Sequence, residues 1–224
     1  MRSQKENKMI NCEANIDRFE KLYGEFIASR EGADRLLEFI RKSDFYTAPA
    51  STKYHLAEKG GLLQHSLNVF DCLYDKTVSN TVWQKVLAKY SEETIAIVSL
   101  LHDICKTYFY TTELKNQKIY DEKVVAGADP KSVKHDAKGD YIWDLVPAYG
   151  YDNKFPIGHG AKSVFFIQQF IKLSMEEIAC IYWHMGAYTG ENTWKELNEA
   201  YNKYPLALAL HEADMESTYL LEKE

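Results

Sequence analysis

Apolar residues recur at helical spacing along most of the chain. Between residues 16 and 40 they fall at Ile16, Phe19, Leu22, Tyr23, Phe26 and Ile27, then at Leu36, Leu37, Phe39 and Ile40. That three-and-four spacing predicts two amphipathic helices, broken at the Glu31-Gly32 turn. The same reading predicts helices over 62–75, 82–89, 92–108, 161–172, 175–184, 194–201 and 205–221. Two starts carry their own signal. Ser91 precedes Glu92-Glu93-Thr94, and Ser174 stands three residues before Glu177 in the arrangement that satisfies free amide hydrogens at a helix start.

The periodicity lapses between 115 and 155. Segments 118–126 and 140–151 mix apolar and polar residues, with Gly127, Asp129-Pro130 and Gly139 as punctuation, which predicts a long, partly exposed β-hairpin. Its charges alternate in sign, Lys118, Lys123, Lys131, Lys134 and Lys138 against Asp121, Glu122, Asp129, Asp136 and Asp140, so it offers no basic face for nucleic acid. The expected fold class is therefore all-α, a helical bundle with one β-hairpin insertion. Helices within 1–45 pack on a core made by 46–224, as one structural domain, and residues 1–15 are expected to fray.

At 224 residues the chain suits one large domain better than two, at roughly 150 residues per domain. Its 27% charged and 46% hydrophobic content excludes disordered and disulfide-scaffold classes. The net charge of −6 gives no long-range attraction to nucleic acid or anionic lipid, so long nucleic acid is not an expected partner. Cys12, Cys72, Cys105 and Cys180 form no C-x-x-C pair, which predicts free thiols and a reducing compartment, the cytoplasm. The first residues contain no apolar signal region, and no apolar run approaches the ~20 residues of a membrane span. Neither secretion nor membrane insertion is expected.

Chemistry concentrates on a few histidines and carboxylates. His102 and Asp103 fall within the apolar 92–108 segment, where burial demands a partner. His65 follows Gly60-Gly61 at the start of another apolar helix, and glycine permits the tight turn needed there. His159 occupies Gly158-His159-Gly160, His184 ends the 175–184 helix, and Asp214 lies in the apolar last helix. Imidazole and carboxylate donors from five separate segments suit a divalent ion such as Fe, Mn, Zn, Ni or Co. Lys106, one turn after His102, is placed either to meet a substrate phosphate or to offset the negative end of its helix. Lys162 and Ser163, opening a helix after the Gly-His-Gly turn, are placed to bind an anion or simply to cap. His55 is a candidate outer contact, His135 is expected in solvent, and His211 sits on the Asp214 face. Tyr188 and Trp194 are candidates to stack on a base at the pocket rim.

His65, His102-Asp103 and Asp214 resemble the H…HD…D signature of the HD-domain superfamily of metal-dependent phosphohydrolases, and His102-Asp103-Ile104-Cys105-Lys106 matches its H-D-x-x-K form. The stretch from Pro49-Ala50 and Tyr54-His55 to Gly60-Gly61-Leu62-Leu63-Gln64-His65-Ser66 resembles the HD domain attached to a bacterial 3′-to-5′ exoribonuclease. Small bacterial and phage HD proteins are closer still. They share Asp152-Asn153-Lys154-Phe155-Pro156, Gly158-His159-Gly160-x-Lys162-Ser163, Trp183-His184-Met185-Gly186 and Ala213-Asp214-Met215-Glu216. The resemblance covers about residue 47 to the C-terminus.

It implies that His65, His102, Asp103 and Asp214 hold a first ion, with His159 and His184 adding a second and Asp103 bridging the two. A pair of ions ~3.5–4 Å apart would activate water for attack on phosphorus. Catalytic roles fall to Asp103 and Lys106, and substrate contacts to Lys106, Lys162, Ser163 and His55. The implied substrate is a small phosphate ester, a nucleotide or a phosphodiester. The same ligand positions would also serve a di-iron oxygenase of the superfamily, or a non-catalytic nucleotide-sensing module. The chain has no oligonucleotide-binding domain and no Gly-Tyr-Pro motif, so exoribonuclease and cyclic-dinucleotide activities are not implied.

Overall fold

Asn11 accepts a hydrogen bond from the Ala14 amide at 3.2 Å and starts the first helix. The computed structural model describes residues 10–79 and 81–223. The fraying expected of residues 1–15 therefore lies partly outside the described residues, and from Cys12 the chain is already helical. The helices are α1 (Cys12–Phe26), α2 (Ala33–Lys42), α3 (Gly61–Val78), α4 (Thr81–Leu87) and α5 (Glu92–Leu101). An inserted section follows, with β1 (Tyr110–Ile119), α6 (Glu122–Ala126), β2 (Lys134–Asp136) and β3 (Gly139–Tyr151). The chain returns to helix in α7 (His159–Gln168), α8 (Met175–Trp183), α9 (Trp194–Lys203) and α10 (Pro205–Glu216). Both capping expectations hold: Ser91 accepts from the Thr94 amide, and Ser174 and Glu177 complete a reciprocal capping box.

The fold is mostly helical, and its core runs between the helices rather than through the sheet. Phe19, Tyr23 and Leu36 share one buried cluster with Leu63, Leu67, Ile97, Leu101, Ile181 and Leu210. Every residue from Ile95 to Leu101 is buried, and α1, α3 and α8 pack on α5. α3 packs on α5 and α10, and α10 packs on α8. This places the C-terminal ends of α5 and α8 beside α3 and α10, which carry His65 and Asp214, and α7, which opens with His159, packs on α8. No helix among the described residues is long and apolar enough to cross a membrane.

Helix ends shift by a few residues, as where α7 stops at Gln168 and α10 at Glu216, and two expectations change more. The helix expected over 92–108 stops at Leu101. A 3₁₀ turn, Ile104–Lys106, follows, and Tyr108 then adopts a φ of 55°, a conformation that ends helix for a non-glycine residue. Its amide donates to Asp44 Oδ1 at 2.8 Å, which holds the reversal. The expected hairpin is instead a three-stranded antiparallel sheet in the order β1-β3-β2, with Tyr110 opposite Tyr151 and Ile119 opposite Ile142. Residues 118–126 do not form one strand, because Asp121 accepts from the Lys123 and Val124 amides and starts α6. The sheet keeps Leu114, Trp143 and Leu145 exposed.

Arg30 fastens the end of the α1 segment to the core. Its guanidinium donates to Glu93 at 2.8 and 2.9 Å, to Glu177 at 3.0 and 3.2 Å, and to the Lys172 carbonyl at 3.0 Å. Glu177 is fully buried. Arg30→Ala leaves that carboxylate without its cation and is expected to cost about 3 kcal/mol in urea unfolding. Arg30→Lys should recover only part, since an ammonium cannot bridge two carboxylates as a planar fork does.

Candidate metal centre

Each candidate ligand is delivered by a helix end or a constrained turn. Gly60, at φ 83°, and Gly61, where a Cβ would lie 2.1 Å from the Leu56 carbonyl oxygen, permit the sharp entry to α3. His65 then faces inward from the second turn of α3. Leu56 itself has a φ of 44°, and the adjacent His55 ring lies 5.1 Å from that of His65. His102 closes α5 and His184 closes α8. In both, the ring Nδ1 donates to a carbonyl three residues back: His102 to Ser99 at 2.8 Å, and His184 to Ile181 at 2.6 Å. A carbonyl only accepts, so Nδ1 carries a proton in both rings and Nε2 is the nitrogen that faces the site; Asp103 raises the His184 pKa against its burial. The negative ends of two helix dipoles point the same way and favour a cation.

Asp103 is the hub. It is 3% exposed, and its two oxygens face different imidazoles. Oδ2 lies 3.6 Å from His65 Nε2, 3.5 Å from His102 Nε2 and 2.6 Å from Lys106 Nζ. Oδ1 lies 2.5 Å from His159 Nε2 and 3.6 Å from His184 Nε2. Asp214 Oδ1 approaches His65 Nε2 at 3.3 Å. The six residues expected as ligands are thus brought together, in overlapping triads whose donor atoms lie within 4.8 Å of one another. Among the triads are His65 with His102 and Asp103, and His102 with His184 and Asp214.

The donor set fits a metal ion. His184 Nε2 is buried with no hydrogen-bond partner, a state that costs free energy unless something fills it. His102 Nε2 and His65 Nε2 face each other at 3.3 Å, while His102 Nδ1 and His65 Nδ1 are both engaged elsewhere. The proton on His65 lets Nε2 donate to the His102 lone pair, and a metal ion can take that proton's place. The buried His/Asp cluster can therefore hold a metal ion.

Protonation follows the same field. Burial opposes charge on His65, but Asp214 and Glu222 outweigh it and lift its pKa to about 10. Burial pushes His102 down to about 4, leaving a neutral ring. Asp103 is held well below the usual carboxylate range because Lys106, His102 and His159 outweigh its burial. Lys106 stays charged above the usual lysine value, since Asp103 outweighs burial there too.

Glu222 is the residue that sequence reasoning missed. A π-helical turn, Ser217–Leu221, extends α10 and carries Glu222 back over His65. Both Glu222 carboxylate oxygens lie 3.1 Å from His65 Nδ1, and Asn68 donates to Oε1 at 2.8 Å. A carboxylate on the far nitrogen orients a ligating imidazole and raises its basicity. Glu222→Ala is expected to weaken metal binding about 10–100-fold, read by chelator competition, while Glu222→Gln should retain part of the affinity.

A cavity of about 670 Å³ opens over the cluster. His55, Lys106, His159 and Asp214 form its polar floor, and Tyr54, Met185, Tyr188, Met215 and Tyr219 its walls. Trp194 is not among the lining residues; its indole points to the Ala187 carbonyl. His211 also lines the cavity, yet its Nδ1 donates to the His184 carbonyl at 2.7 Å rather than orienting Asp214. Ser163 is fully buried and accepts from the Cys105 amide at 3.3 Å, so its hydroxyl is spent inside the fold instead of facing substrate. Lys162 lines a separate, smaller cavity. His135 is exposed, beside Asp140. Compared with protein-family models, curated proteins and solved structures, the chain gives no match.

Proposed function

We propose that this protein is a metal-dependent phosphohydrolase of the HD type, acting on a small phosphate ester, with a nucleotide or phosphodiester as the leading class. The observation that carries this reading is the division of Asp103, one oxygen toward His65 and His102 and the other toward His159 and His184. A bridging carboxylate between two imidazole pairs suits two divalent ions, and His65, His102, Asp103, His159, His184 and Asp214 would hold them. When bound, such ions polarise a phosphoryl oxygen and bring the pKa of a coordinated water near neutrality.

The chain's own groups supply the rest. Lys106, charged and lining the cavity, offers an ammonium to phosphoryl oxygens and offsets charge that develops there. Its Asp103 contact fixes where that ammonium sits. His159, at the cavity edge, is kept below the ordinary histidine value by burial, against the pull of Asp103, and so is neutral at pH 7. The tyrosine and methionine walls take the organic part of the substrate and exclude water from the floor.

Elemental analysis of protein purified without chelator, followed by a phosphomonoester, phosphodiester and nucleotide panel, tests the reading. About two ions per chain and oxygen-independent phosphate release are expected. Oxygen uptake with a diol or hydroxyphosphonate, and no phosphate release, would replace it with di-iron oxygenase chemistry.

A further inference from the structure

Among the described residues Lys76 and Lys162 are buried and Lys106 is nearly so, and two of these three are neutralised. Lys76, 7% exposed, pairs with Glu216 at 2.6 Å and Glu212 at 3.5 Å. Lys106 pairs with Asp103 at 2.6 Å. Lys162 is 6% exposed, yet among the described residues it has no carboxylate partner. Its Nζ donates to the Asn153 side-chain oxygen at 2.7 Å and lies 5.2 Å from the Phe109 ring centroid. An amide oxygen and an aromatic face compensate a buried ammonium only in part, and an unpaired buried charge is costly.

The space for a counter-ion is present. Lys162, Asn153 and Phe109 line a cavity of about 280 Å³, several times the roughly 30 Å³ that a water occupies in the liquid. Lys106 and His159 line this cavity and the main one alike, so the two adjoin at the candidate metal centre. Gly158, the residue before α7, has no side chain to cap the helix start, which adds positive potential beside Lys162.

We propose that the cavity beside Lys162 is a second anion subsite. It takes a phosphate-type group of a substrate whose scissile phosphate lies over the metal centre, so the substrate carries two anionic groups. The subsite stands on Lys162 and its cavity alone, whereas the two-anion substrate rests on the phosphohydrolase reading.

Calorimetric titration with inorganic phosphate tests the subsite in the wild type, in Lys162→Met, and in Asn153→Asp, which puts a competing negative charge on Lys162 at the cavity wall. Each variant should weaken phosphate binding by about tenfold or more, the loss of one charge-assisted contact. Asn153→Asp keeps Lys162 paired and decides the matter if Lys162→Met fails to fold. Undiminished binding in the folded variants, or none in the wild type at millimolar phosphate, overturns the subsite. Kinetics then test the substrate class. Lys162→Met should raise KM for a bisphosphate more than for the matching monophosphate, and an equal change in both overturns the two-anion substrate. A protein that hydrolyses neither compound but still binds phosphate through Lys162 refutes the phosphohydrolase reading and leaves the subsite standing.

Discussion

Asp103→Asn is expected to abolish stoichiometric metal binding and to lower phosphate release by at least about a thousandfold, the scale of losing a central electrostatic group at a reacting phosphate. Among the described residues Asp103 alone has carboxylate contacts to His159 as well as to His65, His102 and His184, so Asp214, which lies with His65, His102 and His184, cannot take over fully. The substitution has a second effect. Lys106 is 14% exposed in its side chain and has Asp103 as its carboxylate partner, so its ammonium would lose its counter-charge, at an expected cost of about 3 kcal/mol. A double variant separates the two effects. Asp103→Asn with Lys106→Met should recover most of the stability in urea unfolding and none of the metal, because it removes the stranded charge without restoring a ligand. Metal retained near its normal content in Asp103→Asn would sink the assignment of Asp103 as the bridge.

Metal removal is the second large effect, and its pH dependence follows from His65. Without metal, Asp214 and Glu222 hold a proton on His65 up to about pH 10. A raised pKa stabilises the fold fully below the unfolded value of about 6.5, and that stability is lost as pH rises toward 10. The metal-free protein should therefore melt at progressively lower temperature across that window. A metal ion must displace the same proton, so its apparent affinity should rise about tenfold per pH unit over the same range, with about one proton released on binding. The gap in melting temperature between metal-loaded and chelator-treated protein is thus expected to widen from pH 6.5 to 9. At a free metal concentration of 100 Kd the stabilisation is about 2.7 kcal/mol. Differential scanning calorimetry in a pH series, with proton release read by a dye, measures both. A gap that narrows with rising pH would mean that His65 is not a ligand.

The aromatic residues at the cavity rim are not part of the core. Tyr188 is 67% exposed and Tyr54 is 74% exposed, so neither is committed to the core.

The chain itself determined its helices and which residues could ligate a metal. Periodic apolar residues place amphipathic faces, and the Ser91 and Ser174 caps satisfy local amides, because both depend on neighbours three or four positions apart. The donors were legible for the same reason: His102-Asp103 in an apolar segment, and His65 after a glycine pair, have no use for their polarity without a buried partner. Tertiary structure decided what those local signals cannot encode. Whether α5 ran on to residue 108 depended on Asp44, 64 positions away, holding the Tyr108 amide. Glu222 reaches His65 across 157 positions through a π-turn, and nothing near Glu222 distinguishes it from a solvated terminal carboxylate. Lys162 read alike as a cap or an anion contact until packing buried it beside Asn153, with no carboxylate among the described residues to pair with. Periodicity specifies which face of a helix is buried, but which charges meet there is set by contacts that form only when distant segments pack.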